Sequence, residues 1–62
     1  MSIHTARKRA GLTQADIARV CGVTTIAVSN WERGIALPRA AQLPVIARLC
    51  NCTVDELLKE DK

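Results

Sequence analysis

The feature that most constrains this chain is the stretch from Gln14 to Arg33, where two short helical patterns are interrupted by Gly22-Val23-Thr24. Two helices that meet at a sharp angle need a small residue where their backbones approach, and Ala18 stands there. They need a turn residue that tolerates positive φ, which Gly22 provides, and a cap for the second helix, which Thr24 provides. Apolar groups must fill the wedge between them, and Ile17, Cys21, Val23, Val28 and Trp31 fall at those positions. A purely structural helical hairpin is the alternative reading of the same pattern.

At about 100° per residue, the second helix of this corner carries Ala27, Val28 and Trp31 on one side. Thr25, Ile26, Ser29, Asn30 and Arg33 lie on the other, with Glu32 at the border. The first side reads as core, Trp31 included. The second combines short hydrogen-bonding groups, an apolar Ile and a cation, the kinds of group that read base edges, thymine methyls and phosphates. A merely solvated helix face would carry Glu and Lys pairs instead.

The rest of the chain is punctuated at Gly11, Gly22, Gly34 to Pro38 and Asn51, which divides it into five short helical pieces. Helix 1 is expected from about Ser2 to Ala10, with Ser2 as cap. Helix 2 follows Thr13, with Asp16 reaching back to the exposed N–H groups, and ends near Cys21. Helix 3 follows Thr24 and runs to about Arg33, so that the corner spans 14–33 and its second helix about 24–33. Helix 4 lies within Arg39 to Cys50. Pro44 favours a start near Gln42 over a kink. Thr53 caps a last helix through Val54, Leu57 and Leu58, and the Glu60-Asp61-Lys62 tail is expected to fray. Short connections without strand-type alternation give an all-α bundle, one domain over 1–62.

Size and charge narrow the function. Sixty-two residues bury only about 60% of the surface of the unfolded chain, which disfavours a deep catalytic pocket. The net charge of +3 is unevenly spread. Met1 to Arg48 holds seven basic residues (Arg7, Lys8, Arg9, Arg19, Arg33, Arg39, Arg48) against Asp16 and Glu32, whereas Leu49 to Lys62 is slightly acidic. Such a molecule suits a polyanion on one side. Arg9 and Arg19 read as solvated charges that add to the general field, and His4 as a surface helix residue.

Three cysteines cannot all pair within one chain, and no secretory signal or bilayer-length apolar run appears. A reducing cytoplasm is the simpler setting. Cys50-Asn51-Cys52 lacks the four spaced ligands of a zinc site, so no metal or cofactor is expected and the thiols read as buried or half-buried filler.

The chain resembles the lambda-repressor-like helix-turn-helix family of phage repressors, Cro-type proteins and xenobiotic-response-element-type regulators. The resemblance rests on Leu12-Thr13-Gln14, Ala18, Gly22-Val23-Thr24, Val28 to Gly34, Pro38 and Val54-Asp55-Glu56-Leu57-Leu58. It implies a compact five-helix DNA-binding domain whose helix 3 enters the major groove of an operator, as in a transcriptional repressor. It further implies that Thr25, Ile26, Ser29 and Asn30 occupy base-reading positions. Thr13, Gln14, Thr24, Arg33 and Arg39 occupy backbone-contacting ones, Gln14 where a helix N-terminus attracts phosphate. Arg7 and Glu32 match an inner salt bridge.

The loop departs from the family pattern, because Ile35, Ala36 and Leu37 stand where polar or basic residues commonly meet phosphate. Ile35 and Leu37, with Val54, are the surface expected to join two copies into a homodimer on a two-fold operator. No room remains for a small-molecule domain. An antitoxin is the first alternative, although such proteins usually carry an added toxin-binding segment and this chain ends about where the DNA-binding fold ends. A protein-interaction module without DNA binding is the second. An enzyme is remote, since no nucleophile and base, carboxylate pair or metal cluster appears.

Overall fold

The computed structural model describes residues 2–59. It contains α1 (Ile3–Arg9), α2 (Gln14–Cys21), α3 (Thr25–Glu32), α4 (Leu43–Leu49) and α5 (Val54–Leu58), with no strand among the described residues. The tail at 60–62 lies outside them. The longest helices have 8 residues, well below the roughly 12–15 at which an isolated helix becomes even marginally stable. Caps and packing must supply the difference.

Ser2, Thr13, Thr24 and Thr53 each accept a hydrogen bond from the backbone N–H three residues on. A side-chain cap of this kind contributes about 1 kcal/mol. Thr13 and Thr53 go further. The N–H of Thr13 donates to Asp16 Oδ2 at 2.9 Å and that of Thr53 to Glu56 Oε1 at 3.0 Å, closing reciprocal boxes. The backbone donation from Thr13, followed by that of its hydroxyl, holds the Asp16 carboxyl below the usual range. Arg19, expected to be a free solvated charge, instead pairs with Asp16 at 3.2 Å while remaining mostly exposed.

Gly22 ends α2 with φ 69°, a left-handed conformation that would strain any residue with a Cβ. The N–H groups of Gly22 and Val23 both return to Ala18 O, the latter at 2.9 Å, so the chain reverses within one residue and Thr24 opens α3. Ala18 is buried at this closest approach. The core is built around Ile17, Val28 and Ile46, all fully enclosed, with Ala6, Trp31, Ala47, Cys50 and Leu57 around them. Fully burying an aliphatic side chain of that size stabilises by about 1.5–3 kcal/mol. α2 packs on both α3 and α4, α4 on α5, and α1 on α3.

Helix 4 resolves the choice posed by Pro44. The helix begins at Leu43, so that Pro44 sits in the first turn where its missing N–H needs no intrahelical partner. Residues 40–42 form a turn instead. The Gln42 backbone N–H donates to Arg39 O, and Gln42 Oε1 accepts from Arg39 N, both at 2.9 Å. Asn51 takes φ 59° between α4 and α5, which its short polar side chain tolerates better than most.

One polar cluster joins α1, α2 and α3. Arg7 Nε donates to Glu32 Oε2 at 2.6 Å and Nη2 donates to Oε1 at 3.1 Å, a bidentate pair. Arg7 Nη1 donates to Leu12 O at 3.0 Å, which ties in the α1–α2 connection. Oε1 also accepts from Gln14 Nε2 at 3.1 Å and faces His4 Nδ1 at 3.0 Å. The Glu32 and Arg7 side chains are only 6% and 11% exposed. Burial alone pushes the Glu32 carboxyl up. The hydrogen bonds from Arg7, His4 and Gln14, with the charge of Arg7, outweigh that effect and hold it at about 2 instead of 4.5.

The folded carboxyl therefore binds a proton less readily than the unfolded one. Its contribution is complete above about pH 4.5 and is lost as pH falls toward 2. At 1.36 kcal/mol per pH unit this amounts to about 3 kcal/mol. Denaturant unfolding of Glu32→Gln is expected to show lower stability at pH 7 and an acid limb between pH 4.5 and 2 flattened by about that amount. An acid limb identical to that of the parent protein would remove Glu32 as its source.

Candidate nucleic-acid interface

Helix α3 owes its two faces to the corner that carries it. Val28 is completely enclosed and Trp31 is 9% exposed, so one side of the helix is locked into the core. The opposite side cannot turn inward. Thr25 and Ile26 are exposed, Ile26 at 72%, while Ser29 and Asn30 are half-buried along the flank. Arg33 caps the C-terminal end and is exposed. No acidic residue occupies the first turn of α3. An exposed Ile among small polar groups fits a surface that meets methyl groups and hydrogen-bonding edges together.

The flanking groups are held by the fold in different ways. The hydroxyls of Thr13 and Thr24 accept from Asp16 N and Ala27 N, at 3.1 and 3.2 Å. A hydroxyl has one donor besides its lone pairs, so Thr24 keeps an O–H to offer, whereas that of Thr13 is directed at the Asp16 carboxyl. Gln14, at the first position of α2, is half-buried and directs its amide N–H to Glu32. Arg39 is exposed, and with Leu37 and Gln42 it lines a shallow groove whose other wall is Val23, Ala27 and Trp31. This brings Arg39 to the border of α3.

One sequence-derived expectation changes in the structure. His4 is not an isolated surface residue, because its ring nitrogen meets Glu32 although the side chain stays 54% exposed. Glu32, at the end of α3, turns inward and pairs with Arg7, the partner expected for it. The i, i+3 spacing of His4 and Arg7 on one helix was the available signal. Of the apolar groups assigned to a second copy, Leu37 and Ile35 are 84% and 61% exposed, while Val54 is half-buried against the core.

The thiols offer little chemistry. Burial pushes those of Cys21, Cys50 and Cys52 up, Cys50 lying inside the core and the others at its edge. No helix among the described residues is long and apolar enough to cross a membrane.

Comparison with known proteins bears on this geometry. A helix-turn-helix family model matches residues 3–57. The chain is 34% identical over 59 residues to the repressor protein C2 of Salmonella phage P22, covering 95% of this chain and 27% of that protein. It is 35% identical over 60 residues to the uncharacterized HTH-type transcriptional regulator YazB of Bacillus subtilis, covering 97% of this chain and 87% of YazB. The HTH-type transcriptional activator BcrR of Enterococcus faecalis is 35% identical over 51 residues, covering 82% of this chain and 25% of that protein. The chain thus spans about a quarter of the length of two of these relatives.

The crystal structure of the P22 c2 repressor with synthetic operator 9T superposes with a TM-score of 0.82 at 34% identity, covering 95% of this chain and 89% of that one. The solution structure of the P22 c2 DNA-binding domain gives 0.82 as well, with 78% of that chain covered. On these grounds the chain belongs to the helix-turn-helix family, has the lambda-repressor-like fold, and is homologous to transcriptional regulators.

Proposed function

We propose that this chain is a sequence-specific double-stranded DNA-binding domain of a transcriptional repressor, inserting α3 into the major groove of an operator. The observation that carries the reading is the outer face of α3: Thr25, Ile26, Ser29, Asn30 and Arg33, without an acid, on a helix whose other face is locked by Val28 and Trp31. The match to a repressor solved with operator DNA supports it. Thr25, Ile26, Ser29 and Asn30 read bases; Thr13, Gln14, Thr24, Arg33 and Arg39 contact the sugar-phosphate backbone. The protein works in the cytoplasm, where bacterial or phage DNA is accessible, and needs no catalytic chemistry.

Selection of bound duplexes from a randomised library tests the reading directly, since it returns site sequence, symmetry and spacing together. Failure to enrich any sequence over bulk DNA would sink it. On the selected site, Asn30→Ala is expected to weaken binding by about 1–3 kcal/mol and to relax preference at one base position, because an amide can pair with the major-groove edge of adenine. An equal loss on every sequence would transfer Asn30 to a non-reading role. Arg39→Ala should weaken binding on all sequences alike and lower the slope of log affinity against log salt by about 1, as removal of one phosphate contact does. A slope unchanged within error would exclude Arg39 as a backbone contact.

The active form is a homodimer. The largest dimension of the described fold is 27 Å, below the roughly 34 Å between major-groove faces one helical turn apart, so one copy serves one half-site. A few base contacts per copy, each mismatch worth about 1–3 kcal/mol, select poorly among the competing sites of a genome. Two copies meeting through exposed Ile35 and Leu37, with Val54 alongside, supply the second half. Sedimentation on the selected duplex should give two protomers per site. A single protomer at saturation, on a site without a dyad, would overturn the dimer.

A further inference from the structure

The Glu32 cluster holds more donors than a salt bridge requires. Arg7 alone neutralises the carboxylate, yet Oε1 also receives an N–H from Gln14, which stands eighteen residues away at the first turn of α2. We propose that Glu32 is a positioning residue for DNA binding, acting through Gln14 by fixing the orientation of its side-chain amide against the sugar-phosphate backbone. The inference rests on the reading of Gln14 as a backbone contact. It adds that a buried carboxylate at the far end of α3 sets how that contact is made.

The argument is one of hydrogen-bond inventory and stiffness. A terminal amide torsion is broad and roughly two-fold, so an unpartnered Gln presents its carbonyl and its NH2 to a ligand almost interchangeably. Only the NH2 end suits a phosphate, because phosphate oxygens accept. A carboxylate is likewise acceptor-only, and it therefore turns the NH2 end of Gln14 toward itself and the carbonyl away. Nε2 carries two hydrogens. One is spent on Glu32 at 3.1 Å, and the second remains for a phosphate oxygen beside the α2 N-terminus. Glu32 can hold this geometry because it does not itself move: Arg7 grips both of its oxygens from α1, and it is the last residue of α3. The amide is thereby set by the same bonds that hold α3 in place. An acid so near a DNA surface would otherwise repel phosphate, but the guanidinium cancels its charge.

A double-mutant cycle on the library-selected duplex tests this, at a temperature where every variant is folded by circular dichroism. Gln14→Ala is expected to weaken binding about fivefold, the scale of one hydrogen bond. Glu32→Asp keeps the charge facing Arg7 but is one methylene too short to reach Gln14. It should weaken binding by about the same factor alone, and by less than about 1.5-fold when added to Gln14→Ala.

A second measurement does not depend on DNA. The Gln14 side-chain NH2 signals of the free protein should be dispersed and slow to exchange, and should collapse to solvent-like values in Glu32→Asp while backbone signals of α3 stay in place. Two outcomes overturn the proposal. If Gln14→Ala weakens binding but the Glu32→Asp factor is undiminished in its presence, Glu32 acts by another route and only the positioning role fails. If Gln14→Ala leaves affinity unchanged, Gln14 is no backbone contact, and that reading falls along with the inference built on it.

Discussion

The bidentate Arg7–Glu32 pair is the interaction on which the arrangement of this small fold depends. Its helices are too short to persist alone, and the core is made largely of Ala, Val, Ile and Cys side chains with a single Trp. In such a molecule a buried, fully hydrogen-bonded ion pair does more than add attraction. It defines the angle at which α1 meets the end of α3, and through Leu12 O it also fixes how the chain leaves α1. A buried pair of this kind is stable only while every partner is present, because removing one leaves an uncompensated charge among apolar groups.

From that anchor the exposed surface of α3 follows by exclusion. With its C-terminal end held by Glu32 and its inner side filled by Val28 and Trp31, α3 has no freedom to roll. Thr25 and Ile26 are therefore exposed for reasons of packing, and the proposed function gives that exposure a use. An Ile exposed at 72% among small polar groups fits the methyl-bearing base edges of the proposed operator. The same reasoning applies to Leu37 and Ile35, whose loop carries apolar groups into solvent.

Much of the fold was legible from short-range chemistry. A cap is a three-residue signal, and Ser2, Thr13, Thr24 and Thr53 announced four helix starts that the structure has. Gly22 announced the corner, and Pro44 announced that α4 begins late. The inward side of α3 was equally readable, since Val28 and Trp31 recur at helical spacing. Arg7 was legible as a partner of Glu32, but the further company that Glu32 keeps was not. His4 looked like a solvated residue and Gln14 like a group turned only toward a phosphate, because their separations from Glu32, 28 and 18 residues, carry no periodic signature.

The sequence by itself therefore determined the five helices, the sharp turn at Gly22, the polar and acid-free outer side of α3, and the uneven charge of the chain. Each of these depends on residues within a turn or two of one another, or on a sum over the chain. Only the tertiary structure decided that Gln14 and His4 converge on one oxygen of Glu32, that Arg39 borders α3 through its turn with Gln42, and that Val54 is half-buried while Leu37 is not. Those outcomes depend on which distant segments meet once the core closes, and hydrogen bonds of that range exist only after packing has brought their ends together.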